Sequence, residues 1–277
     1  MYKGRGWDTW KIAVEKYFKR TKVEEEKPTI LFSLPAFEPA TIWWTDCAKN
    51  VIPQYLAGKP VNIDLLIGNK AVYEEIHPRM MREEYKALGG VGHGNADKFT
   101  GQNYSIIYWT QDPDYFQELK GKCFAPVSCL VGQNLVPTMV RYGLGAGVGE
   151  ITEYYVTDSP GILSFVRSDT VFWVRLAVGD TAYQAYKVSL ETYEEEAKAA
   201  ESKGNIILAR LLRYDAANRK FFGDQNWKLI TPPSPPPPPS PPSPPSPPSP
   251  PPPGDYEVEV TIPETTLKLK VKVKQTK

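Results

Sequence analysis

Residues 232–253 read PPSPPPPPSPPSPPSPPSPPPP, which is 17 prolines and 5 serines in one unbroken run. Proline fixes φ at about −65°, donates no N–H and disfavours the helical region for the residue before it. The run therefore predicts a polyproline II rod, which at about 3.1 Å per residue reaches roughly 70 Å. A rod of that length acts as a spacer between the parts of the chain on either side.

Three parts follow from the position of the rod. We expect a globular α+β body over residues 1–230, a rigid Pro/Ser-rich linker over residues 231–254 and a C-terminal β-hairpin tail over residues 255–277. A body of this length accommodates one domain or two small ones. With 16 Tyr, 10 Phe and 7 Trp in the chain, it has the side chains for a substantial core.

The charge of the chain is balanced, with 33 basic and 32 acidic residues and a formal net charge of +1. This balance gives no electrostatic signal for nucleic-acid binding and no polybasic patch for a membrane surface. No apolar run approaches the roughly 20 residues of a membrane span, so we expect no transmembrane segment. The N-terminal stretch MYKGRGWDTWKIAVEKYF is charged and lacks the apolar core of a signal peptide, which predicts a soluble protein without one.

Apolar periodicity and turn residues predict an α+β fold with a mixed or antiparallel sheet, packed helices and a helical hairpin. The hairpin comprises helices over residues 180–203 and 206–222, separated by Gly204 and Asn205. Three successive strands over residues 151–157, 162–167 and 171–178 predict an antiparallel meander. We also expect a first helix up to about Arg20 and strands over residues 30–34, 41–45, 61–67, 104–110, 127–131 and 136–141.

The tail alternates between apolar and polar residues over positions 256–273, which predicts two antiparallel strands joined by a turn. The glutamates of the first strand would then face the lysines of the second. An isolated hairpin is marginal in water, so its apolar face needs a cover. We expect that face to dock on another subunit or partner, although the tail could fold back on its own body or pair with its own copy. The docking residues are Tyr256, Val258, Val260, Ile262, Leu267, Leu269, Val271 and Val273.

The sequence gives little support for a nucleotide-binding site or a metal site. The glycine-rich stretch YGLGAGVGE at residues 142–150 lacks the third glycine of G-x-G-x-x-G in every frame. Strand-like residues follow it, where a phosphate-binding helix should begin. A zinc site needs about four spaced ligands, whereas the three cysteines and two histidines are scattered. We therefore expect no cofactor and no metal site.

A cysteine nucleophile is the catalytic alternative that the sequence offers. Cys123 could combine with His93 and Asp97, with the glycine-rich loop over residues 89–103 as a lid. Because His93 lies in that loop, the pattern favours exposure over rigid positioning, and we assign no catalytic residue. Cys123 and Cys129 could pair locally, but three buried thiols are the simpler expectation.

The amino-acid composition of the chain, rather than any motif, resembles that of a known class of proteins. The body is balanced in Lys and Glu and rich in Tyr, as in LETYEEEAKAAESKGNIILARLLRYDAANRK at residues 190–220, and a Pro/Ser tether follows it. In these features the chain resembles virion structural proteins of hyperthermophilic archaeal viruses of the two-tailed or spindle-shaped type. The resemblance implies a thermostable, self-associating component that is located in the virion.

The leading hypothesis is accordingly a non-enzymatic structural or assembly protein. It would form a homo-oligomer and use the tethered hairpin to dock on a neighbour, such as another virion or surface protein. One alternative is a ligand- or host-surface-binding module displayed on a rigid stalk. The second alternative is the cysteine-dependent enzyme with a glycine-rich lid.

Overall fold

The computed structural model describes residues 27–230 and, for the backbone alone, the segments 255–262 and 265–272. The expected first helix up to Arg20 and the Pro/Ser-rich linker lie outside the described residues. Within the described part of the chain, no helix is long and apolar enough to cross a lipid bilayer.

The body contains a six-stranded mixed sheet and a three-stranded antiparallel sheet. Its strands are β1 Thr29–Leu34, β2 Asn62–Ile67, β3 Tyr85–Val91, β4 His93–Gly94, β5 Lys98–Thr100, β6 Ile106–Trp109, β7 Cys123–Val127, β8 Ala146–Glu150 and β9 Arg219–Gly223. The large sheet has the order β2-β1-β3-β7-β8-β9, and its neighbours are parallel except for β8 and β9. All six residues of β1 are buried, as expected for a central strand that is covered on both faces.

Helices cover both faces of the large sheet. They are α1 Pro39–Leu56, α2 Tyr73–Met80, α3 Leu135–Arg141, α4 Ile162–Ala177, α5 Ala182–Ser202 and α6 Ile206–Asn218. One core lies between the sheet and α1, α4, α5 and α6, and it contains Phe32 and Phe165. The other core lies between the sheet, α2, α3 and the small sheet, and it contains Leu31, Ile76 and Met139. Because side chains alternate along a strand, β1 contributes to both cores.

The prediction of an α+β fold with a mixed sheet, packed helices and a helical hairpin is confirmed. The hairpin consists of α5 and α6, and Gly204 turns the chain between them at a φ of +79°. A capping box at Thr181 starts α5. Arg213 of α6 joins the two helices through ion pairs with Glu194 and Glu201 of α5.

The predicted meander is wrong, because residues 162–177 form a single helix. Helix α4 buries Phe165, Asp169, Phe172 and Leu176 at helical spacing along one face. Its β-branched and aromatic residues favour strands by propensity, but packing against α1 and α5 overrides that preference. Residues 151–159, between β8 and α4, form no helix or strand.

Two further predicted strands are helical, and a predicted loop is mostly sheet. Residues 41–45 lie in α1, and residues 136–141 lie in α3. The expected lid over residues 89–103 contains the end of β3 together with β4 and β5. Gly90 in this stretch has a φ of +112° and lies against the backbone of Ser33, so a side chain has no room there. Because most of the stretch is paired in the two sheets, it does not form the flexible lid that the sequence predicts.

The tail is described by itself as an antiparallel pair, β10 Asp255–Ile262 and β11 Thr265–Lys272. Val258 is the register partner of Leu269, and Glu259 is the register partner of Lys268. The backbone register therefore matches the predicted pairing. No described contact tests the docking role of the apolar residues, which stays a prediction, and Val273 lies outside the described residues.

Candidate active site

Four neighbouring strands of the large sheet end at one edge. Strands β1, β3, β7 and β8 are adjacent and parallel. The loops after them therefore meet outside their carboxyl ends, where open α/β sheets bind ligands. These loops carry Glu38, His93, Cys129 and Tyr154.

His93 and Cys129 occupy matching positions after adjacent strands. Val91 of β3 and Val127 of β7 are register partners, and His93 and Cys129 each follow their valine by two positions. The N–H of the residue after Val91 donates to the Val127 carbonyl at 3.1 Å. A methyl carbon added at Gly94 would lie 2.7 Å from the Cys129 carbonyl oxygen, so the two loops are in direct backbone contact.

The ring of His93 is held on several sides. Its Nε2 atom lies 3.1 Å from Oε1 of Glu38. Phe37 and Tyr104 pack against the ring at centroid distances of 5.8 and 5.0 Å. The side chain is 35% exposed, so it remains open to solvent. The contact with Glu38 uses Nε2 and leaves Nδ1 as the nitrogen for a proton partner.

Glu38 is fixed at the N-terminus of α1. Its carboxylate accepts hydrogen bonds from the N–H groups of Thr41 at 2.8 Å and Ala40 at 3.1 Å. Burial by itself raises the pKa of Glu38, but these donors, the Thr41 hydroxyl and His93 outweigh it and lower the pKa below its ordinary value. The carboxylate is therefore ionised at neutral pH where it lies against Nε2 of His93.

The thiol of Cys129 is half-buried beside the loop after β8. Its Sγ atom accepts a hydrogen bond from the Tyr154 N–H at 3.3 Å and lies 3.9 Å from the Tyr154 carbonyl oxygen. Burial raises the pKa of the Cys129 thiol; the Tyr154 N–H opposes this, and nearby carboxylates such as Glu153 add to it. With its pKa raised, the group rests as a thiol and needs a base before it can act as a nucleophile.

The backbone around Cys129 leaves two N–H groups free for a ligand. The N–H of Cys129 makes no hydrogen bond to another described residue. In the β4–β5 hairpin, the Asn95 N–H bonds to the Lys98 carbonyl. The next pair, which contains Gly94, is therefore of the non-hydrogen-bonded kind, and the Gly94 N–H points away from β5.

The residue after the cysteine has a strained backbone. Leu130 has a φ of +63°, in the left-handed region that costs a residue with a side chain roughly 1–2 kcal/mol. Its N–H donates to the Thr152 carbonyl at 2.9 Å, which ties this turn to the loop after β8. Strain of this kind clusters at functional sites.

A buried ionic cluster around Arg219 lies beneath the loop after β8. Nη1 of Arg219 lies 2.7 Å from both Glu150 Oε1 and Asp169 Oδ1, and all three side chains are almost fully buried. Burial raises the pKa of Glu150 to about 8 against the lowering effect of Arg219. Burial also raises the pKa of Asp215, whose Oδ1 accepts the Tyr155 N–H at 3.1 Å, to about 9. The cluster therefore retains protons at neutral pH and anchors this loop.

The candidate site does not contain Cys123 or Asp97. Cys123 is fully buried at the start of β7, the end of the strand away from His93, and burial raises the pKa of its thiol. Asp97 accepts hydrogen bonds from Asn134 and Thr110, which use its carboxylate to hold the loop. All three cysteines are free, but Cys129 and Cys47 are only partly buried, which corrects the expectation of three buried thiols.

Cys129 and Glu38 are the site residues that the sequence analysis missed. A usable signal was present: His93 and Cys129 each follow a short apolar segment by a few residues, and parallel neighbours bring such positions together. Glu38 carried a helix-start signal, since Thr41 follows it by three positions. Within residues 27–230, no group of three or more His, Cys, Asp or Glu side chains is placed to hold a metal ion.

No protein-family model and no curated protein matches the sequence. The chain is similar to the crystal structure of the Arg-specific cysteine proteinase gingipain R (RGPB), with a TM-score of 0.45 and 13% identity over 73% of this chain and 47% of that one. It is also similar to the complex of Porphyromonas gingivalis RgpB pro- and mature domains, with a TM-score of 0.47 and 13% identity over 75% of this chain and 51% of that one. The chain spans about half the length of these structures.

These similarities contradict the prediction of a non-enzymatic structural or assembly protein. The cysteine-dependent alternative becomes the proposal developed below, with Cys129 in place of Cys123 and without the glycine-rich lid. Nothing in the comparisons tests the resemblance to virion proteins or the expected homo-oligomer, and both stay predictions.

Proposed function

We propose that the protein is a cysteine-dependent hydrolase of amide or peptide bonds. Cys129 is the nucleophile, His93 is its general base and acid, and Glu38 orients His93. The observation that carries this proposal is the placement of His93 and Cys129 at matching positions after adjacent parallel strands, with their loops in backbone contact. The ionised Glu38 at Nε2 of the ring completes the order nucleophile, base and orienting carboxylate.

The raised pKa of Cys129 determines how the reaction begins. His93 takes the thiol proton through Nδ1 while the sulfur forms a bond to the substrate carbonyl carbon. When the C–N bond breaks, His93 returns this proton to the leaving amine, which leaves a thioester on Cys129. Water then attacks the thioester, with His93 again as the base, and releases the acid and the free thiol.

Negative charge that develops on the substrate oxygen needs donors. The free N–H of Cys129 and the outward N–H of Gly94 are the groups that the described backbone supplies. Both belong to loops fixed by the ends of β3 and β7, so they require little reorganisation during the reaction. The strained turn at Leu130 directly follows Cys129 and fixes the backbone of the cysteine next to these two N–H groups.

Two measurements test the proposal. Iodoacetamide labelling at neutral pH, read by peptide mapping, is expected to modify Cys129 faster than the fully buried Cys123, and His93→Ala is expected to slow the labelling of Cys129. Hydrolysis of a mixed peptide library is expected to fall at least about 10³-fold in Cys129→Ala and about 10²–10⁴-fold in His93→Ala.

The control for both measurements is Cys123→Ala, which removes a thiol outside the site. It is expected to retain hydrolysis, apart from the effect of a cavity in the core. Turnover that survives in Cys129→Ala would show that the proposal is wrong.

A further inference from the structure

Tyr154 occupies the space next to the sulfur of Cys129. Its N–H lies 3.3 Å from Sγ and its carbonyl oxygen lies 3.9 Å from the same atom. A peptide carbonyl is thus placed beside the nucleophile, where a substrate carbonyl has to lie for attack. Residues 151–159, which carry Tyr154, form no helix or strand, and single hydrogen bonds such as the one from the Tyr155 N–H to Asp215 hold this segment in place of a regular ladder.

From the backbone beside Cys129, the side chain of Tyr154 extends into a pocket whose aromatic and polar groups complement a tyrosine. Its ring meets Trp44 and Phe165 edge-on, at centroid distances of 5.9 and 6.1 Å. Its hydroxyl donates to Asp169 Oδ2 at 3.0 Å and lies 2.9 Å from the Tyr193 hydroxyl. The pocket therefore has aromatic walls and a polar floor with a carboxylate acceptor.

The space around this pocket is not completely filled. A cavity of about 10 Å³ is lined by Trp44, Val127 and Asp169 together with other core residues. That volume holds about one water molecule. Val127 precedes Cys129 by two positions, so the cavity adjoins the strand that presents the nucleophile.

Charge decides which side chains fit the floor of the pocket. Arg219 lies 2.7 Å from Asp169, so a lysine or arginine side chain that entered would meet a guanidinium already paired with the carboxylate. An acidic side chain would meet Asp169 itself. Phenylalanine would fit the walls but would leave Asp169 and Tyr193 without the phenolic donor, and unpaired buried acceptors discriminate strongly against such an analogue.

We infer that Tyr154 stands where a substrate tyrosine binds, so that the enzyme cleaves on the carboxyl side of tyrosine residues. This inference rests on the proposed function and adds the substrate class to it. In the resting protein, Tyr154 competes with the substrate for the pocket. The segment 151–159 has to move before a substrate tyrosine can enter.

The experiment compares the wild type with Tyr154→Ala and Tyr154→Phe. The substrates are five peptides with the same fluorogenic leaving amine. Their sequences are identical except for the residue before the scissile bond, which is Tyr, Phe, Arg, Asp or Ala. Tyr154→Ala is expected to cleave the Tyr peptide at least about 10-fold faster than the Phe peptide and faster than the wild type does. Tyr142→Ala, which truncates an exposed tyrosine elsewhere, is expected to leave the wild-type rates unchanged.

The possible results separate the two proposals. A preference for Arg, Asp or Ala overturns the inference but leaves the proposed function intact. A folded Tyr154→Ala that is slower than the wild type on the Tyr peptide also overturns the inference. No cleavage of any peptide, with labelling of Cys129 independent of His93, overturns the proposed function itself. If Tyr154→Ala does not fold, the rates at which Tyr154→Phe cleaves the five peptides decide. Fastest cleavage of the Tyr peptide supports the inference, and fastest cleavage of any other peptide overturns it.

Discussion

Nε2 of His93 lies 3.1 Å from Oε1 of Glu38, a residue 55 positions earlier in the chain. Burial raises the pKa of Glu38, but hydrogen bonds from the N-terminus of α1 outweigh it and lower the pKa. The contact of this fixed, ionised carboxylate sets the orientation of the His93 ring. A carboxylate at the N-terminus of α1 thus positions the proposed base, which follows β3.

Glu38→Gln keeps an oxygen acceptor for the helix cap but removes the negative charge next to His93. We expect peptide hydrolysis to fall at least about 10-fold, because the imidazolium loses its stabilising partner. The loss is expected in kcat rather than in KM, since the carboxylate orients the base and does not contact the substrate. Glu191→Gln, at an exposed position on α5, is the matched control. An unchanged kcat would exclude the orienting role.

Gly94→Ala tests the close approach of the histidine and cysteine loops. Its methyl group would lie 2.7 Å from both the Cys129 carbonyl oxygen and Cγ1 of Val131, so the loops have to separate. We expect a loss of about 1–3 kcal/mol in the free energy of unfolding, measured in urea, together with a loss of hydrolysis. Gly204→Ala carries a backbone penalty at positive φ but meets no neighbouring atom, so it should lose stability without losing activity. Full activity in Gly94→Ala would contradict the contact.

Asp215→Asn tests the retained proton in the buried cluster. The pKa of Asp215 rises from 3.8 to about 9 on folding, so between these values the folded state holds a proton that the unfolded state has released. The stabilising effect of the neutral form is complete below about pH 4 and is lost as the pH rises to about 9, by up to about 1.4 kcal/mol per pH unit. In urea unfolding between pH 5 and 8, the variant is expected to lose the share of this slope that Asp215 contributes, while Glu150, whose pKa burial raises to about 8, keeps its own share. Asp114→Asn, at an exposed position, should keep it.

Arg219→Met tests the central cation of the same cluster. Without it, Glu150 and Asp169 are buried with no compensating charge, and we expect a loss of about 3–5 kcal/mol in the free energy of unfolding. The loss should be greater at pH 8 than at pH 5, because protonation relieves the carboxylates at the lower pH. Arg213→Met, which breaks solvent-exposed pairs on α6, is expected to cost much less. Equal losses in both variants would contradict the role of burial.

Local patterns were sufficient for several elements of the fold. Residues 30–34 form a continuous apolar run, and the structure buries them as the central strand β1. Gly204 and Asn205 separate two helical patterns, and α5 and α6 pair around them. Helix α4 was missed because β-branched and aromatic residues favour strands locally, whereas burial against two other helices decided its conformation.

The site was less accessible to sequence reasoning because it depends on strand order. Strands β4 to β6 lie between β3 and β7 in the chain, so the short apolar segments before His93 and Cys129 do not by themselves show that these residues are neighbours. The sequence favours Cys123 over Cys129 because the spacing of residues along the chain shows neither where β7 ends nor whether its neighbouring strands are parallel to it. Glu38 reaches His93 only through the cap of α1, a tertiary relationship that no short motif encodes.

The matching positions of His93 and Cys129 after adjacent strands have a consequence for engineering this protein. The separation of the His93 and Cys129 backbones is set by the spacing of neighbouring strands, about 4.8 Å, rather than by the length of any long connection. Insertions or circular permutation at remote turns, such as those at Gly58 and Gly204, should therefore leave the spacing of these two residues unaltered. The proposed catalytic edge of the sheet is in this sense a transferable unit, independent of how the rest of the chain is joined.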